Sequence, residues 1–138
     1  MVLVSACLAG ESCRYDGKSR PVGAVVEMVR RGEAVSVCPE VLGGLSTPRV
    51  PSERCGDGRV VNARGQDVSE AFERGAREAM RICEEHGCAE AILKAKSPSC
   101  GCGRIYDGSF TGRLVEGNGV FAELLLARGI PVRTEEEL

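Results

Sequence analysis

Cysteine is the residue type in this chain best equipped to do chemistry, and it occurs at Cys7, Cys13, Cys38, Cys55, Cys83, Cys88, Cys100 and Cys102. The stretch SPSCGCG, residues 97–103, puts two thiols one residue apart in a glycine-rich bend behind Pro98. Cys7 follows the apolar run VLVSA and Cys38 follows AVSV. Glu40 stands two residues after Cys38 in Cys-Pro-Glu, and Ser97 and Ser99 flank Pro98. Thiolates bind metals or attack as nucleophiles, a desolvated carboxylate can carry a proton, and hydroxyls hydrogen-bond substrate or water. At this point a cystine pair, a metal, a reactive thiolate and plain packing are all open.

The elements that must position these groups follow from periodicity. Residues 2–6 and 34–37 read as short buried strands ending at Cys7 and Cys38, and AEAILK, residues 89–94, reads as a third strand leading into SPSCGCG. Val22, Val25, Val26 and Val29 have helical spacing, with Gly32 as a stop. Val68, Phe72, Ala76, Ala79 and Cys83 mark a second helix ending near Gly87, with Asp67 and Glu70 resembling a capping box. Asn118 is expected to cap a last helix that turns Val120, Leu124 and Ala127 inward and closes at Gly129, before a final strand IPVR at 130–133. Residues 39–58 are too rich in Pro and Gly to predict regular structure, and a loop of that length is usually functional or disordered. Residues 59–68 suggest a hairpin turning near Arg64-Gly65. The turn motif Tyr-Asp-Gly occurs twice, at Tyr15–Gly17 and Tyr106–Gly108, and reads as two turns of one kind rather than a duplication.

Strands alternating with helices predict an α/β fold: a mainly parallel sheet covered on both faces, with a long Pro/Gly-rich loop beside the site. In such sheets ligands bind beyond the carboxyl ends of the strands. Cys7, Cys38 and Cys100 should therefore converge, although they are far apart in sequence.

The 138 residues suggest one domain, 1–138, long enough to bury a core without covalent staples. A net charge of −2 speaks against a polyanionic partner, and three Phe, two Tyr and no Trp give no broad platform for single-stranded nucleic acid. The opening MVLVSACLAGESC has no basic leader, and no apolar run approaches the roughly 18 residues of a membrane span. A cytoplasmic location is expected, where thiols stay reduced, so metal binding or catalysis displaces a disulfide framework as the leading use of sulfur.

Structural zinc is normally held by CxxC pairs or completed by histidine. The chain has no CxxC, and its one histidine, His86, sits where it complements a helix dipole. An iron–sulfur cluster fits the thiols better, since glycines at 101 and 103 let backbone amides approach cluster sulfurs. Three thiolates would leave one iron of a cubane open to substrate. A fourth from Cys13 or Cys102 would instead close the cluster for electron transfer, and spacing leaves both open.

SACLAGESCRYDG (5–17), CPEVLGGLSTPRVPSE (38–53), GQDVSEAFERGA (65–76), LKAKSPSCGCGRIYDGSFTG (93–112) and GNGVFAELLLARGIPVRTEEE near the C-terminus resemble the small bacterial thiouracil desulfidase family, in the family's order and over nearly the whole chain. The resemblance implies a Rossmann-like three-layer domain with a [4Fe–4S] cluster on Cys7, Cys38 and Cys100. It also implies that Glu40 is the acid–base residue and Ser97 its assisting serine, with Ser99 less clearly placed. The implied reaction is hydrolytic replacement of a thiocarbonyl sulfur in 2- or 4-thiouracil, giving uracil and sulfide without net redox change. A small thiolated nucleobase is then the expected partner. Sulfur handling on thiouridine in RNA, or a non-catalytic iron–sulfur or zinc module, are the alternatives. The chain departs from the family's usual pattern at Cys13, before RYDG, and carries extra thiols at Cys55, Cys83, Cys88 and Cys102.

Overall fold

A computed structural model describes residues 1–138. Strands β1 (Val2–Ser5), β2 (Ala34–Val37), β5 (Glu90–Leu93) and β8 (Val132–Thr134) form one sheet in the order β2-β1-β5-β8. All three pairings are parallel, with Leu3 opposite Val35 and Ala91, and Ile92 opposite Arg133. Because side chains alternate across a strand, the sheet feeds two cores. Leu3, Val37, Ala91 and Leu93 pack under Phe121, Ala79 and Cys83, whereas Val4, Ala34 and Ile92 face Val25 and Leu8. Helices α3 (Ser69–Glu85) and α4 (Val120–Ala127) cover the first face and α1 (Gly23–Arg30) the second, giving the α/β three-layer arrangement expected.

Phe72, Ala76, Ala79 and Cys83 are the buried stripe of α3 as their spacing predicts. The ends of the helices differ from expectation. Val68 is the N-cap of α3, and Asp67 accepts the Ser69 N–H at 2.9 Å without a capping box to Glu70. Helix α4 starts from Gly119, while Asn118 instead accepts the Gly103 N–H at 2.8 Å. It buries Phe121, Ala122 and Leu125 most deeply; of the residues expected inward, Val120 and Leu124 pack against the same core partly buried, and Ala127 is exposed. VFAELLLA is apolar on nearly every side, so its period does not fix which face turns inward. In α1 only Val25 is fully buried, and Val26 faces outward.

The segment 39–58 is more ordered than its composition suggests. It holds the short helix α2 (Pro39–Leu42) and the strand β3 (Ser52–Arg54), which pairs antiparallel with β4 (Val60–Asn62). The expected 59–68 hairpin is thus only its second half: β4 pairs backward with β3, and the Arg64-Gly65 turn closes a single bridge from Val61 to Asp67. A further hairpin, β6 (Arg104–Tyr106) with β7 (Leu114–Glu116), follows the 97–103 bend.

Two glycines seat α2. A Cβ on Gly75 of α3 would lie 1.8 Å from the Pro39 carbonyl oxygen, and one on Gly43 would lie 2.0 Å from that of Ala71. The two helices therefore touch backbone to backbone, which places Cys38 and Glu40. A Gly75→Ala chain should lose about 1–3 kcal/mol of stability through overpacking, despite alanine's better helix propensity. A lower urea midpoint with an unchanged m-value is the expected measurement, and a midpoint at or above the parent's would contradict this account.

Candidate functional site

The parallel strands end on one side of the sheet, and the cavity there has a volume of about 560 Å³. Cys7 lies in the 3₁₀ turn Ala6–Ala9 directly after β1, Cys38 caps α2 directly after β2, and Cys100 sits in the loop leaving β5. All three line this cavity, together with Cys13, Glu40, Ser97 and Ser99. Cys102 does not: it packs against the α3–α4 core, its Sγ 4.0 Å from the Val132 carbonyl oxygen. Cys83 and Cys88 are buried in that core, and the Cys83 thiol points to the Cys88 carbonyl oxygen.

Burial and mutual repulsion govern the thiols. Burial pushes the Cys7 thiol up to about 11, with the Cys38 charge adding to it. Burial likewise pushes Cys100 up to about 12; hydrogen bonds with Ser5 and Ser99 oppose this, and charge on Cys38 and Cys7 reinforces it. Cys13 and Cys38 share a hydrogen bond that lowers the Cys38 thiol and raises Cys13. The ionised forms of Cys7, Cys38 and Cys100 thus act on one another across a small, partly dry space.

Glu40 and the serines form one chain of hydrogen bonds. Arg49 donates through Nε to Glu40 Oε1 at 3.2 Å, and Ser99 donates through Oγ to Glu40 Oε2 at 2.9 Å. The Glu40 and Arg49 side chains are only 15% and 8% exposed. Ser97 Oγ accepts the backbone N–H groups of Ser99 and Cys100 at 3.2 and 3.0 Å, and lies 3.0 Å from Ser99 Oγ. With the Ser99 proton directed to Glu40, the Ser97 hydroxyl donates to Ser99. Ser97 therefore reaches Glu40 through Ser99 and also fixes the amide of Cys100.

The bend itself is clamped by α4. Its first amides, from Val120, Phe121 and Ala122, donate to the carbonyls of Pro98 and Ser99. A Cβ on Gly119 would lie 2.4 Å from the Ser99 carbonyl carbon, so glycine is needed for this approach. Glu135 holds the other end, accepting the Ala95 N–H at 2.7 Å and pairing with Lys94 Nζ at 2.7 Å. Lys96 faces Glu136 at 3.5 Å, so both lysines have local counter-charges.

Several lining residues carry no signal readable in the sequence. Arg49 is nine positions from Glu40 on irregular chain, and it also donates to the carbonyl oxygens of Cys13 and Ser46. Arg14 lines the cavity with a buried Nη1 that has no acceptor in the protein. Tyr15, Tyr106 and Phe110 complete the rim. No helix is long and apolar enough to cross a membrane.

Known proteins resemble this chain over nearly its whole length. A family model described as 2-thiouracil desulfurase matches residues 2–137. The chain is 42% identical over 147 aligned residues to the uncharacterized protein YbbK of Bacillus subtilis (strain 168), covering 100% of this chain and 97% of that protein. The solved structure of a [4Fe-4S]-dependent thiouracil desulfidase, TudS, matches with a TM-score of 0.94 at 45% identity, over 99% of this chain and 91% of that one. With the thiols of Cys7, Cys38, Cys100 and Cys13 and the Glu40 carboxylate lining one cavity at the ends of parallel strands, and a family match running almost from end to end, the chain belongs to the 2-thiouracil desulfurase family.

Proposed function

We propose that this chain removes sulfur from a thiolated pyrimidine of the 2- or 4-thiouracil kind, using a [4Fe–4S] cluster held by Cys7, Cys38 and Cys100. The observation that carries this reading is the meeting of those three thiols with Glu40 in one cavity. The donor set suits the group. Burial makes Cys7 and Cys100 costly to ionise, and charge on Cys38 adds to that cost, so thiolates at these positions need a cationic partner. No three His, Cys, Asp or Glu side chains come together closely enough for a single ion, whereas ligands of a cluster each bind a different iron and stand further apart. The resemblance to the cluster-dependent desulfidase points the same way.

When bound by three thiolates, such a cluster offers an open iron, a Lewis acid that polarises a soft thiocarbonyl sulfur. Glu40 accepts a proton from water as the water oxygen bonds to the thiocarbonyl carbon. Arg49 and Ser99 each occupy one carboxylate oxygen and fix its direction. Ser97 steadies Ser99 and the Cys100 backbone. The carbon–sulfur bond then breaks, protonated Glu40 returns its proton to the departing sulfur, and the second water proton passes to sulfide as the uracil carbonyl forms. One thiouracil and one water give one uracil and one hydrogen sulfide, with no electron gained or lost. Counter-charges on Lys94 and Lys96 favour a small ligand over a polyanion.

The test is anaerobic reconstitution with iron and sulfide, removal of excess sulfide, and addition of 2- or 4-thiouracil. Sulfide and uracil should appear in equal amounts over many turnovers. A fully loaded chain that releases no sulfide from either substrate would sink the reading.

A further inference from the structure

We propose that Phe110 is a ring-stacking face that holds the flat heterocycle, and so sets affinity for aromatic thiocarbonyls; this rests on the thiolated-pyrimidine reading above. The chain has few aromatic side chains, three Phe and two Tyr. Phe72 and Phe121 are wholly buried in the core, whereas Phe110 is 37% exposed and lines the cavity with Tyr15 and Tyr106. Every aromatic ring that the core does not use is therefore at this one site.

The backbone at Phe110 makes chance exposure a poor explanation. Its φ is +58°, a left-handed conformation that is costly for a bulky side chain. The other non-glycine residue with positive φ, Lys96, lines the same cavity, and strain of this kind gathers at functional sites. The conformation is actively held. Glu53 on β3 accepts the N–H groups of Gly108 and Phe110 at 3.0 and 3.1 Å through a single oxygen. Asp107 accepts the Ser109 N–H at 2.9 Å, and Gly108 sits against Cys55, where a Cβ would come within 2.9 Å of its Sγ.

The repeated Tyr-Asp-Gly motif gains a meaning from this. In both copies the aspartate accepts the N–H two residues ahead, from Lys18 at 3.0 Å and from Ser109 at 2.9 Å, and the glycine has positive φ. The two turns carry Tyr15 and Tyr106 to the same cavity from distant parts of the chain. Aromatic faces stack on any base, and such stacking contributes substantially per base. A pyrimidine whose thiocarbonyl edge is directed at the thiols still has both ring faces free for this contact.

The experiment uses cluster-loaded chains carrying Phe110→Ala, Phe110→Gly, Phe110→Tyr or Phe110→Trp. Glycine accepts positive φ without strain, so Phe110→Gly removes the ring while leaving the loop at ease. Both ring-less variants should raise KM for 2-thiouracil, and Kd for uracil by calorimetry, about tenfold, with kcat within about twofold. Phe110→Tyr and Phe110→Trp should restore the parent values. If the parent turns over thiouracil and Phe110→Gly leaves KM and uracil binding unchanged, the stacking role is wrong and the desulfidase reading stands. If the parent itself releases no sulfide from thiouracil, the reading fails and takes this role with it.

Discussion

Cys100→Ala is expected to abolish iron retention, and Cys102→Ala to leave it intact, although the two residues are separated only by Gly101. Cys100 is 4% exposed, faces the cavity beside Cys7 and Cys38, and contacts the Ser99 hydroxyl at 3.6 Å. Cys102 turns the other way, toward Val132 and the core under α3 and α4. The substitutions remove the same atom, so a difference in iron content reports ligation rather than general damage. Losing a group that merely orients a ligand weakens metal binding about 10–100-fold, and losing the ligand should exceed that. Iron and acid-labile sulfide per chain after anaerobic gel filtration are the quantities to compare, with urea midpoints as the control. Full iron in Cys100→Ala, or empty protein in Cys102→Ala, would overturn the ligand assignment.

That pair also shows where sequence reasoning was strong and where it stopped. Short apolar runs ending at Cys7 and Cys38, with a third before Cys100, were enough to place the thiols at strand ends. The geometry of parallel sheets then requires such ends to meet. Direction around the bend was not readable, because CGCG contains no periodicity to say which thiol faces the core. The same limit hid helix α2: four residues cannot show a helical repeat, and its place depends on bare backbone contact at Gly43 and Gly75. A glycine within the otherwise regular stripe of α3 was the one available hint of such an approach. The three-residue strands β3, β6 and β7 are likewise too short to show alternation. Asn118 had the right type for a cap but is used to hold Gly103. Of the extra thiols, Cys13 is the one the structure brings to the cavity beside Cys38.

Glu40→Gln should keep its cluster and lose turnover by about 10²–10⁴-fold, the usual range for removing a general acid–base group. Glutamine has nearly the same shape, so its amide oxygen can still accept from Arg49 at the Oε1 position. Its NH₂ group would then face Ser99 Oγ, where a carboxylate oxygen now accepts at 2.9 Å. Ser99 would have to turn its proton toward Ser97 or Cys100, at 3.0 and 3.6 Å, and position 40 would no longer offer a carboxylate to take a proton from water. Iron content, uracil affinity and fold should be close to the parent's, with the deficit confined to kcat. The serines divide in an informative way beside it. Ser99→Ala removes the direct bond to Glu40 and should lower kcat while sparing iron. Ser97→Ala strips the acceptor from two amides, one of them that of Cys100, at about 1–3 kcal/mol for each that stays unsatisfied. It should therefore weaken iron retention as well as rate. Parent-like turnover in Glu40→Gln, measured at saturating thiouracil on iron-matched protein, would remove Glu40 from the mechanism and turn attention to Glu53, the other carboxylate lining this cavity.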